Sequence, residues 1–142
     1  YLSPFLKFRS YSFLFLNNCI IQKGSDLGQK MWHILIKKNN PLIILGSDIP
    51  NISLMHFKEL FYHLKYSDVV IGPSFDGGFW SIGFSNKKKL IYPFSNVRWS
   101  TDKTLSDLKI NLKNNKINYK ITSKLRDIDN KLDYCENKLG LN

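Results

Sequence analysis

Leu42-Ile43-Ile44-Leu45-Gly46-Ser47-Asp48-Ile49-Pro50 runs from four apolar residues straight into a glycine, a hydroxyl and a carboxylate. A short apolar run closed by Pro41 on one side and Gly46 on the other reads as a strand buried on both faces, as in a parallel sheet. Polar residues directly after such a strand stand where open α/β sheets bind their ligands. Fold and candidate site are therefore read from the same stretch.

Upstream of it, Ser25 or Asp26 can cap a helix whose Leu27, Met31, Ile34 and Leu35 follow the i, i+4, i+7, i+8 rhythm of one helical face. Asn39-Asn40-Pro41 stops that helix. Downstream, Asn51 or Ser53 opens a second helix to about Lys65, with Ile52, Met55, Leu60, Phe61 and Leu64 expected largely on one side. Val69-Val70-Ile71 reads as a second buried strand, and Phe79 to Phe84 as a third, entered through Gly77-Gly78. A helix from about Thr101 to Asn114, a strand from Ile117 to Ile121 and a last helix from Asn130 to Leu139 complete the order. The aromatic-rich start is ambiguous, since Tyr11 to Leu16 suits a strand or a helix end. Strands and helices alternate without a repeat or a long linker, which predicts one α/β domain over residues 1–142.

Composition narrows the function. At 142 residues the chain can bury a core, and 43% hydrophobic with 23% charged residues argues against disorder. The net charge of +10 invites a nucleic-acid partner. The charge is nearly all lysine, however, spread along the chain apart from Lys37-Lys38 and Lys87-Lys88-Lys89, whereas base readout favours arginine forks. A solvated lysine surface, with no nucleic-acid partner, is the expectation. Cys19 and Cys135 lie far apart in no metal-ligand spacing, as free thiols of a reducing cytoplasmic protein would. No apolar run approaches the roughly 18 residues of a membrane span. Ser10 to Ile21 superficially resembles a signal peptide, but it lacks a small-residue cleavage site and is broken by Asn17-Asn18. Because the chain starts at Tyr1, an upstream segment is expected to be missing.

Three places carry carboxylates that could do chemistry. In Gly46-Ser47-Asp48 the glycine lets the backbone turn closely, and Asp48 is either an oxygen ligand for a hard divalent cation or the cap of the next helix. In Gly72-Pro73-Ser74-Phe75-Asp76-Gly77-Gly78-Phe79-Trp80 the Asp-Gly pair is a hairpin signal. It is equally a loop whose glycines clear room for a substrate held by Asp76 and exposed N–H groups. Phe79 and Trp80 alternate on the following strand, so one faces the pocket and the other the core. In Asp127-Ile128-Asp129 both acids of an extended segment point the same way, able to share a metal or to cap the next helix. His33, His56 and His63 sit within predicted helices without partners at ligand spacing, and read as structural. No nucleophile–histidine arrangement, Walker loop or G-x-G-x-x-G is present.

Taken in order, Gln22-x-Gly24-x-Asp26-Leu27-Gly28-x-Lys30-Met31, Leu45-Gly46-Ser47-Asp48-Ile49-Pro50, Gly72-Pro73-x-x-Asp76-Gly77-Gly78-Phe79, Trp99-Ser100-Thr101 and Asp127-Ile128-Asp129 resemble one family. It is a bacterial family of small proteins proposed to be glycosyltransferases, some assigned to arsenosugar biosynthesis, with a nucleotide-diphospho-sugar transferase (GT-A-like) fold. The likeness runs from about Gln22 to Asp133. It implies a three-layer α/β/α Rossmann-like mixed sheet, one half binding the nucleotide and the other the acceptor. It implies Asp48 as the metal-ligating acid at the diphosphate. Related nucleotidyltransferases carry a late Ile-Asp-Thr-Pro-Glu-Asp stretch that reads here Ile128-Asp129-Asn130-Lys131-Leu132-Asp133, making Asp129 the second ligand of Mg²⁺ or Mn²⁺. Gly46 and Ser47, in the same motif as Asp48, fall on the substrate side. Asp76, Gly77 and Gly78 match the substrate loop, with Asp76 near the acceptor hydroxyl as its base, and Trp99, Ser100 and Thr101 match a signature on the acceptor side.

The chain departs from the family at Lys30, where an arginine is usual, and at Asn130 and Lys131 in place of Thr and Pro. The family's opening loop, Lys-x-Pro-x-x-Gly-x-x-Lys-Thr-Arg-Leu, has no counterpart before Gln22, so the domain is expected to be N-terminally truncated. The resemblance thus implies a metal-dependent transferase taking a nucleotide sugar and a small-molecule acceptor. Nucleotidyl transfer from a nucleoside triphosphate would use the same loops, and a truncated, inactive remnant would keep the same motifs.

Overall fold

A computed structural model describes residues 23–37, 40–46, 49, 51–85 and 91–125. Tyr11 to Leu16, the helix expected from Asn130 to Leu139, and Ser47, Asp48, Asp127 and Asp129 lie outside the described residues. The described chain forms α1 (Leu27–Leu35), β1 (Leu42–Leu45), α2 (Leu54–Leu64), β2 (Val69–Pro73), β3 (Phe79–Phe84), α3 (Thr104–Asn114) and β4 (Tyr119–Ile121). The N-caps of the first two helices fall on predicted residues. Asp26 accepts the Gln29 N–H at 2.8 Å, and Ser53 precedes α2, its own N–H donated to His56 Nδ1 at 3.0 Å.

The four described strands make a mixed α/β sheet in the order β1-β3-β2-β4. β3 runs antiparallel to both neighbours, while β4 is parallel to β2, so β1, β2 and β4 point one way and β3 the other. The parallel environment expected for Leu42–Leu45 is therefore corrected. The tight turn after β2 folds β3 straight back, and β3 then occupies the place between β2 and β1. β1 is half-buried along its length, with β3 as its neighbour among the described residues. β2, buried at every residue, is the strand that fits the original reading.

Side chains leave the sheet on two faces. Val69 and Ile71 of β2, with Ile82 and Phe84 of β3, pack with Met31 and Leu35 of α1, Leu108 and Leu112 of α3, and Phe94. Val70 and Trp80 pack on the opposite side with Leu60 and Leu64 of α2, flanked by Ile43, Leu45 and Leu125. A register shift at Gly72/Pro73 inserts Trp80 as an extra residue in β3. That bulge explains how Trp80, 2% exposed, joins the α2 side while Phe79 packs against the other cluster.

Some boundaries and faces differ from expectation. Met55 is 70% exposed and Phe61 51%, because α2 buries only the Leu60–Leu64 side. At 3.6 residues per turn Met55 lies about 140° round the helix from Leu60. α3 starts at Thr104 rather than Thr101, the intervening residues forming a turn, and β4 starts at Tyr119 after a left-handed Lys116 (φ 54°). Among the described residues no helix is long and apolar enough to cross a membrane.

Candidate functional site

The strand directions bring the motifs to one end of the sheet. β1 finishes at Leu45 opposite Ser81, and the Gly46 N–H is donated to the Trp80 carbonyl at 2.8 Å. β2 finishes at Pro73 opposite Phe79. The chain leaving β4 continues beside it, with Thr122 N–H bonded to the Ile71 carbonyl at 2.9 Å and Leu125 N–H to the Pro73 carbonyl at 3.0 Å. The exits of β1 and β4 and the β2–β3 turn thus share one edge. Asp48 follows Leu45 by three residues and Asp129 follows Leu125 by four, both outside the described residues.

The turn itself is a hairpin, as Asp-Gly predicted. Ser74 N–H is donated to the Gly78 carbonyl at 3.2 Å. Inside it, Asp76 Oδ1 accepts both the Ser74 hydroxyl and, at 2.9 Å, the Gly78 N–H. Ser74 is buried at 2% exposure while Asp76 is exposed, so the carboxylate is gripped from below and presented above. Gly77 stands at φ +89°, in the left-handed half of conformational space, and a Cβ there would lie 2.4 Å from the Asp102 carbonyl oxygen. Its own carbonyl accepts the Leu105 N–H at 2.9 Å, which seats the hairpin on the start of α3.

Trp99 joins this assembly from the other side. Its ring lies edge-on to Phe79, centroids 6.3 Å apart, and tilted against Phe94 at 5.8 Å. α1 comes so close to those rings that a Cβ on Gly28 would sit 2.6 Å from Phe94 Cβ and 2.7 Å from Trp99 Cζ2. The structure therefore brings together four of the singled-out segments: Gly28 of the first motif, Gly46, the Asp76-Gly77-Gly78 turn, and Trp99-Ser100-Thr101. Ser100 is left-handed at φ 58°, and the Thr101 hydroxyl is donated to the Arg98 carbonyl at 2.9 Å. Tyr92 lies edge-on to Phe94 at 5.8 Å and to Trp32 of α1 at 5.5 Å, and burial, then the Asp26 carboxylate, push its phenol above its ordinary range.

Sequence reasoning missed several participants. Ser74, two residues before Asp76, had a readable signal as the hydroxyl of a short turn. Phe75 and Lys124 had none, yet the Lys124 ammonium lies 4.4 Å from the centre of the exposed Phe75 ring. Nor did the ion pair of Arg98 with Asp107, nine residues apart across a turn and a helix. Of the histidines, His56 serves the α2 cap and lies edge-on to Trp80 at 5.9 Å. Among the described residues no three His, Cys, Asp or Glu side chains converge as a metal site. Asp48 and Asp129, the acids that the resemblance assigns to a metal, lie outside that described part.

An α/β domain with its polar loops at one sheet edge is similar to a solved structure. The crystal structure of a proposed nucleotide-diphospho-sugar transferase from Desulfovibrio desulfuricans G20 superposes on 81% of this chain with a TM-score of 0.74 and 26% sequence identity. The chain spans about half of that protein, 52% of its length. Residues 16–101 match the family of uncharacterised proteins conserved in bacteria (DUF2064), and the chain belongs to that family. No curated protein matches the sequence.

Proposed function

We propose that this chain is a nucleotide-diphospho-sugar transferase domain of the three-layer α/β/α type, which transfers a glycosyl group from a nucleotide sugar to a small-molecule hydroxyl. The observation that carries the reading is the convergence of Gly46, Asp76-Gly77-Gly78 and Trp99-Ser100-Thr101 around one sheet edge, in a fold similar to that of a protein proposed to have this activity. Open α/β sheets bind ligands at that edge.

In this reading Asp76 is the base for the acceptor hydroxyl. Its Oδ1 is engaged by Ser74 and the Gly78 N–H, so Oδ2 is the oxygen that would take the proton. Gly78 leaves the turn without a side chain next to Asp76, Gly77 seats that turn on the Asp102 backbone, and Gly46 and Ser47 are the residues we assign to the donor side. Trp99 offers an apolar wall for the sugar face, with Ser100 and Thr101 beside it. Asp48 and Asp129 are the ligands we assign to Mg²⁺ or Mn²⁺, which would supply charge neutralisation for the diphosphate leaving group. Catalysis of this kind rests on positioning and fixed charges.

The test is isothermal titration of UDP, GDP and CDP, each with Mn²⁺ or Mg²⁺, into the full gene product. Metal-dependent binding of one of the three, lost in Asp48→Ala and kept in Asp76→Asn, is the expected result. Binding of none of them would overturn the proposal.

A further inference from the structure

The segment before α3 is tied down far more heavily than a connecting loop needs. Arg98 forks onto Asp107, Nε to Oδ2 and Nη2 to Oδ1 at 2.8 Å each, and its backbone N–H reaches Oδ2 at 3.1 Å. The Arg98 carbonyl accepts the hydroxyls of Thr101 at 2.9 Å and Thr104 at 2.7 Å. Asn111 donates to the carbonyls of Pro93 at 3.0 Å and Ser95 at 2.7 Å. These bonds enclose two non-glycine residues in the left-handed region, Asn96 at φ 55° and Ser100 at φ 58°. Such backbone strain persists only where the surroundings over-determine it, and it gathers at ligand sites.

What the tied segment touches gives the strain a purpose. The Asp102 backbone fills the space beside Gly77 that a Cβ would need, Leu105 N–H holds the Gly77 carbonyl, and Trp99 leans on Phe79. The same segment is therefore the wall against which the Asp76-bearing hairpin rests. We propose that Arg98 and Asp107 are positioning residues: their ion pair locks the turn on α3 and so fixes the Asp76-Gly77-Gly78 loop in its ligand-binding position. This rests on the transferase reading for the identity of the ligand, but not for the coupling itself. The competing role for Arg98 is direct contact with a phosphate. Both of its bonded nitrogens are spent on Asp107, and the two roles make opposite predictions for the loss of Asp107.

The experiment compares Arg98→Met, Arg98→Lys and Asp107→Asn with the parent protein in two measurements. In ¹⁵N NMR, the amides of Gly77 and Gly78 and the Trp99 indole are expected to shift in Arg98→Met and Asp107→Asn, and less in Arg98→Lys. The Trp80 indole, which donates to the Ser123 carbonyl at 3.0 Å, is expected to stay and so reports an intact fold. In titrations with UDP, GDP and CDP plus Mn²⁺, affinity is expected to fall about fivefold in both Arg98→Met and Asp107→Asn, with Arg98→Lys between them and the parent. Unmoved Gly77 and Gly78 amides would overturn the proposal, as would tighter nucleotide binding by Asp107→Asn. If the parent binds no nucleotide, the transferase reading fails and the amide shifts alone decide the coupling. If Asp107→Asn loses the Trp80 signal, the two Arg98 variants carry the same test.

Discussion

At Gly77 one residue has to satisfy two constraints, a φ of +89° and a Cβ position already taken by the Asp102 backbone. Gly77→Ala violates both, and because the obstacle is main chain it cannot swing aside. A loss of about 2 kcal/mol or more in urea unfolding is expected; a loss below about half that would mean the hairpin relaxes away from α3. Next to it, Asp76→Ala removes the acceptor for the buried Ser74 hydroxyl and for the Gly78 N–H. Leaving such donors unpaired costs about 1–3 kcal/mol. Asp76→Asn keeps an acceptor oxygen at the same place, so it should cost clearly less than Asp76→Ala. Equal losses in the two variants would show that the hairpin does not depend on these bonds. The Asp-Gly signal identified the turn from sequence, but not the use of Asp76 inside it. A side chain that closes its own loop and one that faces a substrate have the same residue type and the same spacing.

Elements were legible where one face of a helix decided the pattern, and less so where neighbours did. Met31, Ile34 and Leu35 of α1 are buried as their spacing indicated, whereas Leu27, expected on the same face, is exposed at the first turn. An apolar run such as Leu42–Leu45 reports that a strand packs on something, not which strand lies beside it or in which direction, and so the antiparallel β3 between β1 and β2 could not be read. The contact of Gly28 with Phe94 and Trp99 was equally hidden, since it joins residues far apart in the chain. Gly28→Ala makes that contact testable. Alanine is the better helix former by about 0.8–1.0 kcal/mol, whereas forcing a methyl group into a filled space costs about 1–3 kcal/mol. The expected net effect is destabilisation, measured by urea midpoint; a stabilised variant would place α1 farther from Trp99. The link between the 98–101 turn and α3 has its own signature in pH. The Arg98 hydrogen bonds, helped by its charge, hold the Asp107 carboxyl down at about 2 from an ordinary 3.8. A group with a depressed folded pKa contributes stability above its unfolded value and loses it as pH falls toward the folded one. Between about pH 4 and pH 2 the parent should therefore lose stability that Asp107→Asn does not lose, seen as converging thermal midpoints. Parallel pH profiles over that window would show the pair to be without consequence for folding.

For the whole molecule, the hairpin that carries Asp76 is the place where two separate cores meet. The bulge sends Trp80 into the cluster under α2 and Phe79 into the one under α1 and α3, from adjacent residues of one strand. The candidate site is thus anchored on both sides of the sheet, and its geometry should depend on either core. Leu60 and Leu112 are fully buried, one in each cluster. Leu60→Ala and Leu112→Ala should each cost about 2–5 kcal/mol, through lost burial and the cavity left behind. Since the sheet separates them and they share no neighbours within either cluster, the double variant should equal the sum to within about 0.5 kcal/mol. If a single packed unit unfolds, fluorescence and circular dichroism must give coincident transitions in all three variants. Non-coincident transitions in Leu60→Ala alone would mean that the α2 layer melts independently. Trp80 would then lose its support while Phe79 kept its own, and the Asp76 hairpin would be held from one side only.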